Sequence, residues 1–344
     1  GKIITNIFKF LGYKMRKKEW VKKVVVVLAG TAVMAASLAG CQKSGGEENS
    51  GTESNESSSE DSKFKVAYVN LADSDVNCRI TKEYFEEYAA DYPEMEVSYY
   101  DSENDIDKMI SNMETAMASD VDAIVVLPLD ASALAPVTND AIAAGIHVIP
   151  FRGTIDSEGT IYVGSENIES GEMQGEYLAE SLPENAKVLY MMGTVGMSPT
   201  IDRQQGIHDA LEAAGRTDIE FLAEKDADFD KAEGMQLMED WMQTFPEFDA
   251  VVAANDQMAL GAMEALKGAN RLEGVQVIGV DGVEEALLAI KNGEMTMTAF
   301  QNCDAQAKAC IEVLEKLSSG EEVTEDVLVP YEVVTKDNVD EYLK

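Results

Sequence analysis

Two stretches of this chain repeat one another, and that repeat limits the folds open to it more than any other feature. Asp122-Ala123-Ile124-Val125-Val126-Leu127-Pro128-Leu129-Asp130, running on to Leu134, pairs with Asp249-Ala250-Val251-Val252-Ala253-Ala254-Asn255-Asp256, running on to Leu260. Further along, Val148-Ile149-Pro150-Phe151-Arg152-Gly153 pairs with Val277-Ile278-Gly279-Val280-Asp281-Gly282. Each copy reads as a short apolar strand, an amphipathic helix and a second strand, the pattern of a parallel sheet covered by helices on both faces. A repeat of that unit implies two lobes of like topology. Ligands of open parallel sheets bind beyond the carboxyl ends of the strands, where the repeat puts Arg152 in one half and Asn255 and Asp281 in the other.

The rest of the folded part fits the same alternation. Val66 to Val69 reads as the first strand, and Ile106, Met109, Ile110, Met113 and Met117 recur at helical spacing, a methionine stripe expected to pack in the core. Gly145, Gly215, Gly268 and Gly293 each stand between a helix and a strand as left-handed C-cap signals. Asp101 to Asp107 lacks the glycine that turns a calcium loop and reads as a solvated helix start. Gly193-Thr194-Val195-Gly196 is neither a dinucleotide fingerprint nor a phosphate loop and reads as a tight turn at a cleft edge. His147 and His208 have no second ligand at metal spacing and read as satisfied structural histidines. Cys303 and Cys310, seven apart on a helix and so about 10 Å apart by helical rise, cannot bridge. With Cys78 they are expected to be buried free thiols.

The beginning of the chain has a different character. Met15 to Lys23 carries five basic residues and Val24 to Ala39 carries no charge, a positive segment followed by an apolar one. The apolar run is shorter than the roughly 20 residues of a membrane helix and ends in Leu38-Ala39-Gly40-Cys41, which resembles a lipobox. Residues 1–40 therefore read as a signal peptide with an upstream extension over 1–14. Cys41 reads as the lipidated first residue of a protein held on the outer face of the cytoplasmic membrane. Residues 41–62, rich in Ser, Gly, Asn and Glu, read as a flexible tether. The first forty residues hold eight of the 27 basic residues and one of the 64 acidic ones, which leaves 19 against 63, net −44, from residue 41 onward. Such a charge repels phosphates and argues against nucleic acid as a partner.

From residue 64 to 343 the chain resembles the periplasmic sugar-binding proteins of the type I fold, the galactose/glucose- and ribose-binding family of ABC importers. The resemblance is carried by Tyr162-Val163-Gly164-Ser165, Glu169-Ser170-Gly171 with Gln174-Gly175, Ala254 to Ala262, Val280-Asp281-Gly282, and Val329-Pro330-Tyr331 with Lys336-Asp337-Asn338. It implies an α/β fold of two Rossmann-like lobes with parallel sheets, 63–164 plus 302–326 and 165–301 plus 327–344. The three-segment hinge would lie near Gly164, Gln301 and Val327. It also implies sugar contacts at Arg203, Asn255, Asp281 and Gln301, with Phe229 as the stacking aromatic. A carboxylate, a guanidinium and amides can each bridge vicinal hydroxyls, while an aromatic face packs on the C–H side of a sugar ring.

Asp75 and Arg152 complete the expected ligand set from the first lobe. That lobe otherwise departs from the family pattern, with Val76 or Asn77 where galactose/glucose binders have an aromatic, Met197 and Pro199 where they have His and Asp, and Leu127 where ribose binders have Asn. The reading keeps a monosaccharide or related polyol and names none of glucose, galactose or ribose. The family's calcium loop is cut to Ser181 to Lys187, so no metal and no cofactor are expected. A single carboxylate beside amides suits hydrogen bonding rather than acid-base work, so no enzymatic activity is expected. The expected partners are the sugar or polyol, an ABC permease with its ATPase, and the membrane through Cys41, with the protein itself a monomer. The alternative is a sensor that presents its ligand to a chemoreceptor or kinase, or a binder of an autoinducer or nucleoside.

Overall fold

A computed structural model describes residues 63–343; the expected signal peptide, lipidation site and tether lie outside the described residues. The first sheet is entirely parallel. Its strands are β1 (Phe64–Asn70), β2 (Met95–Asp101), β3 (Ala123–Val126) and β4 (His147–Pro150), in the order β2-β1-β3-β4. Between them run α1 (Val76–Ala89), α2 (Ile106–Ala118) and α3 (Ala135–Ala143). Alternate residues of β1 sort the helices to two faces. Val66 and Tyr68 pack with Phe85 of α1 and with Ala307, Cys310 and Ile311 far along the chain, whereas Ala67 and Val69 pack with Met109 and Met113 of α2 and Val137 of α3. The methionine stripe is core packing, as its spacing predicts.

The second sheet contains β6 (Lys187–Met192), β7 (Glu220–Asp226), β8 (Ala250–Ala253), β9 (Gln276–Asp281), β10 (Met297–Phe300) and β12 (Glu332–Thr335), in the order β12-β10-β9-β8-β6-β7. All its pairings are parallel except that of β12, an antiparallel edge strand. Helices α4 (Asn167–Ser181), α5 (Ser198–Ala213), α6 (Lys231–Thr244), α7 (Asp256–Gly268) and α8 (Glu284–Asn292) cover it. After β10 the chain enters α9 (Cys303–Ser318), which packs on α1 beside the first sheet. It then returns through β11 (Val327–Leu328), paired in parallel with β5 (Val163–Gly164), to reach β12.

The internal repeat holds at the level of register. Ala123 of β3 faces Val66 and His147, and Ala250 of β8 faces Val188 and Gln276. The aspartate that opens each copy makes the same contact: Asp122 accepts from the Lys65 amide at 2.7 Å, and Asp249 from the Lys187 amide at 2.7 Å.

Three details differ from expectation. Gly145, Gly215 and Gly293 are left-handed (φ 85°, 70° and 76°), but Gly268 is simply the last residue of α7. The left-handed turn is made by Asn270 (φ 55°), whose short polar side chain tolerates it. His147 is exposed at the amino end of β4 instead of satisfied in the interior, while His208 meets Glu224 at 3.1 Å. Cys78 and Cys310 are buried free thiols, but Cys303, at the start of α9, is only half-buried, and its thiol donates to Asn77 Oδ1 at 2.9 Å.

Candidate functional site: a polar cleft between the two sheets

The carboxyl ends of the two sheets face one another across a cavity of about 270 Å³. All seven residues expected to contact a ligand line it: Asp75, Arg152, Arg203, Phe229, Asn255, Asp281 and Gln301.

On the second-sheet side the side chains are braced before any ligand arrives. Asn255 stands two residues past β8 and is the N-cap of α7, its Oδ1 accepting from the Met258 amide at 3.0 Å and its Nδ2 donating to the Phe229 carbonyl at 3.0 Å. Asp281 ends β9 at φ 126°, followed by Gly282 at φ 77°, a backbone that L side chains rarely adopt. The turn is clamped by the fully buried Asp256. This carboxylate accepts from the amides of Gly282 (2.7 Å) and Val283 (3.0 Å) and from the Thr298 hydroxyl (2.8 Å). Arg203 projects from α5 and donates through Nη1 to the Ala254 carbonyl at 2.5 Å and through Nη2 to the Tyr331 hydroxyl at 3.1 Å. Tyr331 in turn donates to Asn167 Oδ1 at 3.0 Å. Phe229 sits in a left-handed turn with Asp228 (φ 58° and 49°), its ring over Gly193 and 5.9 Å from the Arg203 guanidinium carbon.

The first-sheet side is simpler. Asp75 is the N-cap of α1 and accepts from the Cys78 amide at 2.7 Å. Arg152 follows β4 at φ 68° and donates to Thr81 Oγ1 at 3.0 Å and to Gln301 Oε1 at 2.7 Å. Two residues expected to bind a ligand independently are therefore bonded to each other, which leaves the Gln301 amide NH₂ and the remaining guanidinium donors of Arg152 for other partners. Both arginines keep a buried Nε–H without a protein acceptor.

Burial pushes Asp281 up to about 6, although Arg203, Arg152 and the Asn77 amide favour its charged form; Asp75 adds to the rise. Burial and the Asp281 charge push Asp256 up as well, opposed by its three donors. Two guanidinium groups thus share the cavity lining with four carboxyl groups, those of Asp75, Asp228, Asp230 and Asp281. A lining with more carboxyl than guanidinium groups favours an uncharged ligand rich in hydroxyls over an anion.

Sequence reading missed part of the lining. Asn77 stands two residues inside α1, where the sequence marked only an absent aromatic. Asn104 reaches the cavity from a left-handed turn with Glu103 (φ 57° and 51°) just before Asp105, the N-cap of α2. The helix start was legible there, but the turn that carries Asn104 into the cleft was not. Met197, Pro199 and Leu127, noted only as departures, form apolar wall. Among the described residues, no group of three or more His, Cys, Asp or Glu side chains could hold a metal ion.

Residues 66–322 match the periplasmic binding protein domain family, and the chain belongs to that family with its type I fold. It is 34% identical over 263 residues to a putative rhizopine-binding protein of Rhizobium meliloti, covering 75% of this chain and 85% of that one. It is 31% identical over 243 residues to the ribose import binding protein of Bacillus subtilis, covering 70% and 78%. Among solved structures, an ABC transporter solute-binding protein from Bacillus halodurans with bound myo-inositol is 36% identical. It superposes with a TM-score of 0.78, covering 82% of this chain and 98% of that one. The Caulobacter myo-inositol binding protein bound to myo-inositol is 27% identical with a TM-score of 0.77, covering 81% and 95%.

Proposed function

We propose that this protein is an extracytoplasmic solute-binding protein, not an enzyme, that captures an uncharged sugar or cyclic polyol between two lobes and delivers it to an ABC importer. The observation that carries this reading is the cleft itself. Its polar lining is pre-braced and carries no excess of positive charge, with Phe229 as an apolar face, and its 270 Å³ lies just below the roughly 300–1,000 Å³ range of ligand pockets. The ligands of the myo-inositol-bound relatives make myo-inositol the first candidate, ahead of ribose and xylitol.

In this reading Asp281, Asn255 and Gln301 supply acceptors and donors to vicinal hydroxyls, Arg203 and Arg152 supply charge-assisted donors, and Phe229 packs on the ring. Asp75 and Asn77 approach from the opposite side. The lobes are 63–164 plus 302–326 and 165–301 plus 327–344, and they close about the β5–β11 pair and the segment after β10. Ligand bound to one lobe gains contacts to the other only on closure, so it shifts the equilibrium toward the closed state that a permease would recognise. Lipidation at Cys41 would hold the protein on the membrane. Loss of incorporated fatty acid in a Cys41→Ser variant tests that part.

A melting screen of the purified protein against myo-inositol, ribose, xylitol and glucose tests the ligand class, since saturating ligand raises Tm by mass action. A rise of several degrees with at least one of them is expected. No rise with any neutral sugar or polyol would reject the reading.

A further inference from the structure

The two halves of the molecule also touch outside the cavity lining, at its rim. The Ala131 amide, in the loop after β3, donates to the Gly196 carbonyl at 3.3 Å, and the Thr154 amide, after β4, donates to Ser198 Oγ at 2.9 Å. Gly196 and Ser198 belong to the turn between β6 and the first residue of α5. Gly196 has φ 97°, and a Cβ on it would overlap the Asp130 carboxylate. That carboxylate is not free to swing away, because its Oδ1 already accepts from the amides of Ser132 (3.0 Å) and Ala133 (2.8 Å). Ala131, Thr154, Gly196 and Ser198 are all absent from the cavity lining.

We propose that this seam is a latch. The bare Cα of Gly196 seated against Asp130, together with the Ala131–Gly196 and Thr154–Ser198 bonds, holds the cleft shut and sets how long a ligand stays without touching it. The proposal rests on the reading of a cleft that closes over a polyol. Contacts made only in the closed state leave the encounter of ligand with the open cleft unchanged, so their loss appears in dissociation. These are therefore positioning residues of the closed state.

The test uses Ser198→Ala and Gly196→Ala in the full chain, with two readouts. The first is association and dissociation of radiolabelled myo-inositol, or of whichever polyol shifts the wild-type melting point most. The second is hydrogen exchange at the Ala131 and Thr154 amides with that polyol at saturation, where the closed state is populated. Ser198→Ala should speed dissociation by about three- to tenfold, the worth of one ordinary hydrogen bond, with association unchanged and the Thr154 amide exchanging faster. Gly196→Ala should do more, and a second change, Asp130→Gly, should recover part of that loss. Backbone strain at a positive φ would not be relieved by removing the carboxylate. Unchanged dissociation and exchange in both variants would overturn the latch, as would a Gly196→Ala defect that Asp130→Gly leaves untouched. If Gly196→Ala fails to fold, Ser198→Ala decides alone. If the wild-type protein binds no polyol, the functional reading fails and the latch with it, whereas wild-type binding with both variants unchanged overturns the latch alone.

Discussion

Several cavity residues do two jobs, and their behaviour as single residues follows from that. Asp281 is buried against Arg203, Arg152, Asn77, Asp75 and Asp256, and burial outweighs the arginines to push it up to about 6. A carboxyl raised above its unfolded value contributes stability that is present at low pH and lost as pH rises through about 6. Asp281→Asn should therefore raise the Tm of the ligand-free protein at pH 7.5, with the gap closing toward pH 4; equal gaps at both would show that the carboxyl titrates normally. Ligand binding runs the other way, because protonation removes an acceptor. Affinity should fall as pH drops from 7 through 6, and calorimetry on the Asn variant should show that dependence gone. Asp281→Ala should cost most of the affinity at pH 7.5, by about a hundredfold if two charge-assisted bonds are lost. Affinity left unchanged by that substitution would remove Asp281 from the site.

At the scale of elements, the site depends on how closely helices approach. Gly171 of α4 lies against the backbone of Arg203, and a Cβ there would overlap the Arg203 carbonyl. The Glu169-Ser170-Gly171 motif thus has a physical use, since it lets α4 and α5 pack closely enough to bring Arg203 to Ala254. Gly171→Ala should destabilise the protein by about 1–3 kcal/mol, as overpacking does, and weaken ligand binding by displacing α5. Chemical denaturation and calorimetry on the same variant would check both, and a stable variant with normal affinity would show that the approach has slack. Much at this scale was legible in the sequence. The helix start at Asp105 was read from the sequence because a cap acts within three residues of itself, whereas the capping by Asp75 and Asn255, read only as ligand contacts, came from the structure. Gly268 misled because a glycine near a helix end and the residue that turns left-handed need not coincide.

For the whole molecule, the repeat sets an arginine of one half and an aspartate of the other at matching places in the cavity lining. Arg152 and Asp281 occupy equivalent positions in the two copies, both follow or end a strand with positive φ (68° and 126°), and they carry opposite charges. Two similar halves turned face to face would otherwise present like groups to one another. Because the ligand is read as neutral, affinity should change less than about twofold between 50 and 500 mM salt, where screening would weaken a charged ligand far more. Calorimetry at the two ionic strengths checks this, and a steep salt dependence would point to an anion. Saturating polyol should also reduce the radius of gyration in small-angle scattering, since closure compacts the two halves.

The sequence by itself determined the strand-helix alternation, the internal repeat and, from that repeat, Arg152, Asn255 and Asp281 as cleft candidates, since these are written in local periodicity and spacing; Arg203, Phe229 and Gln301 were expected only through the family resemblance. Only the tertiary structure decided that Arg152 bonds Gln301, that Tyr331 braces Arg203, and that Asn77 and Asn104 join the lining. It alone decided that Arg152, Phe229 and Asp281 are held in left-handed or strained backbone. The reason is distance along the chain. Arg152 and Gln301 are 149 residues apart and Arg203 and Tyr331 128 apart, brought together by the winding of two sheets, and no local pattern encodes a contact that exists only once both sheets have formed.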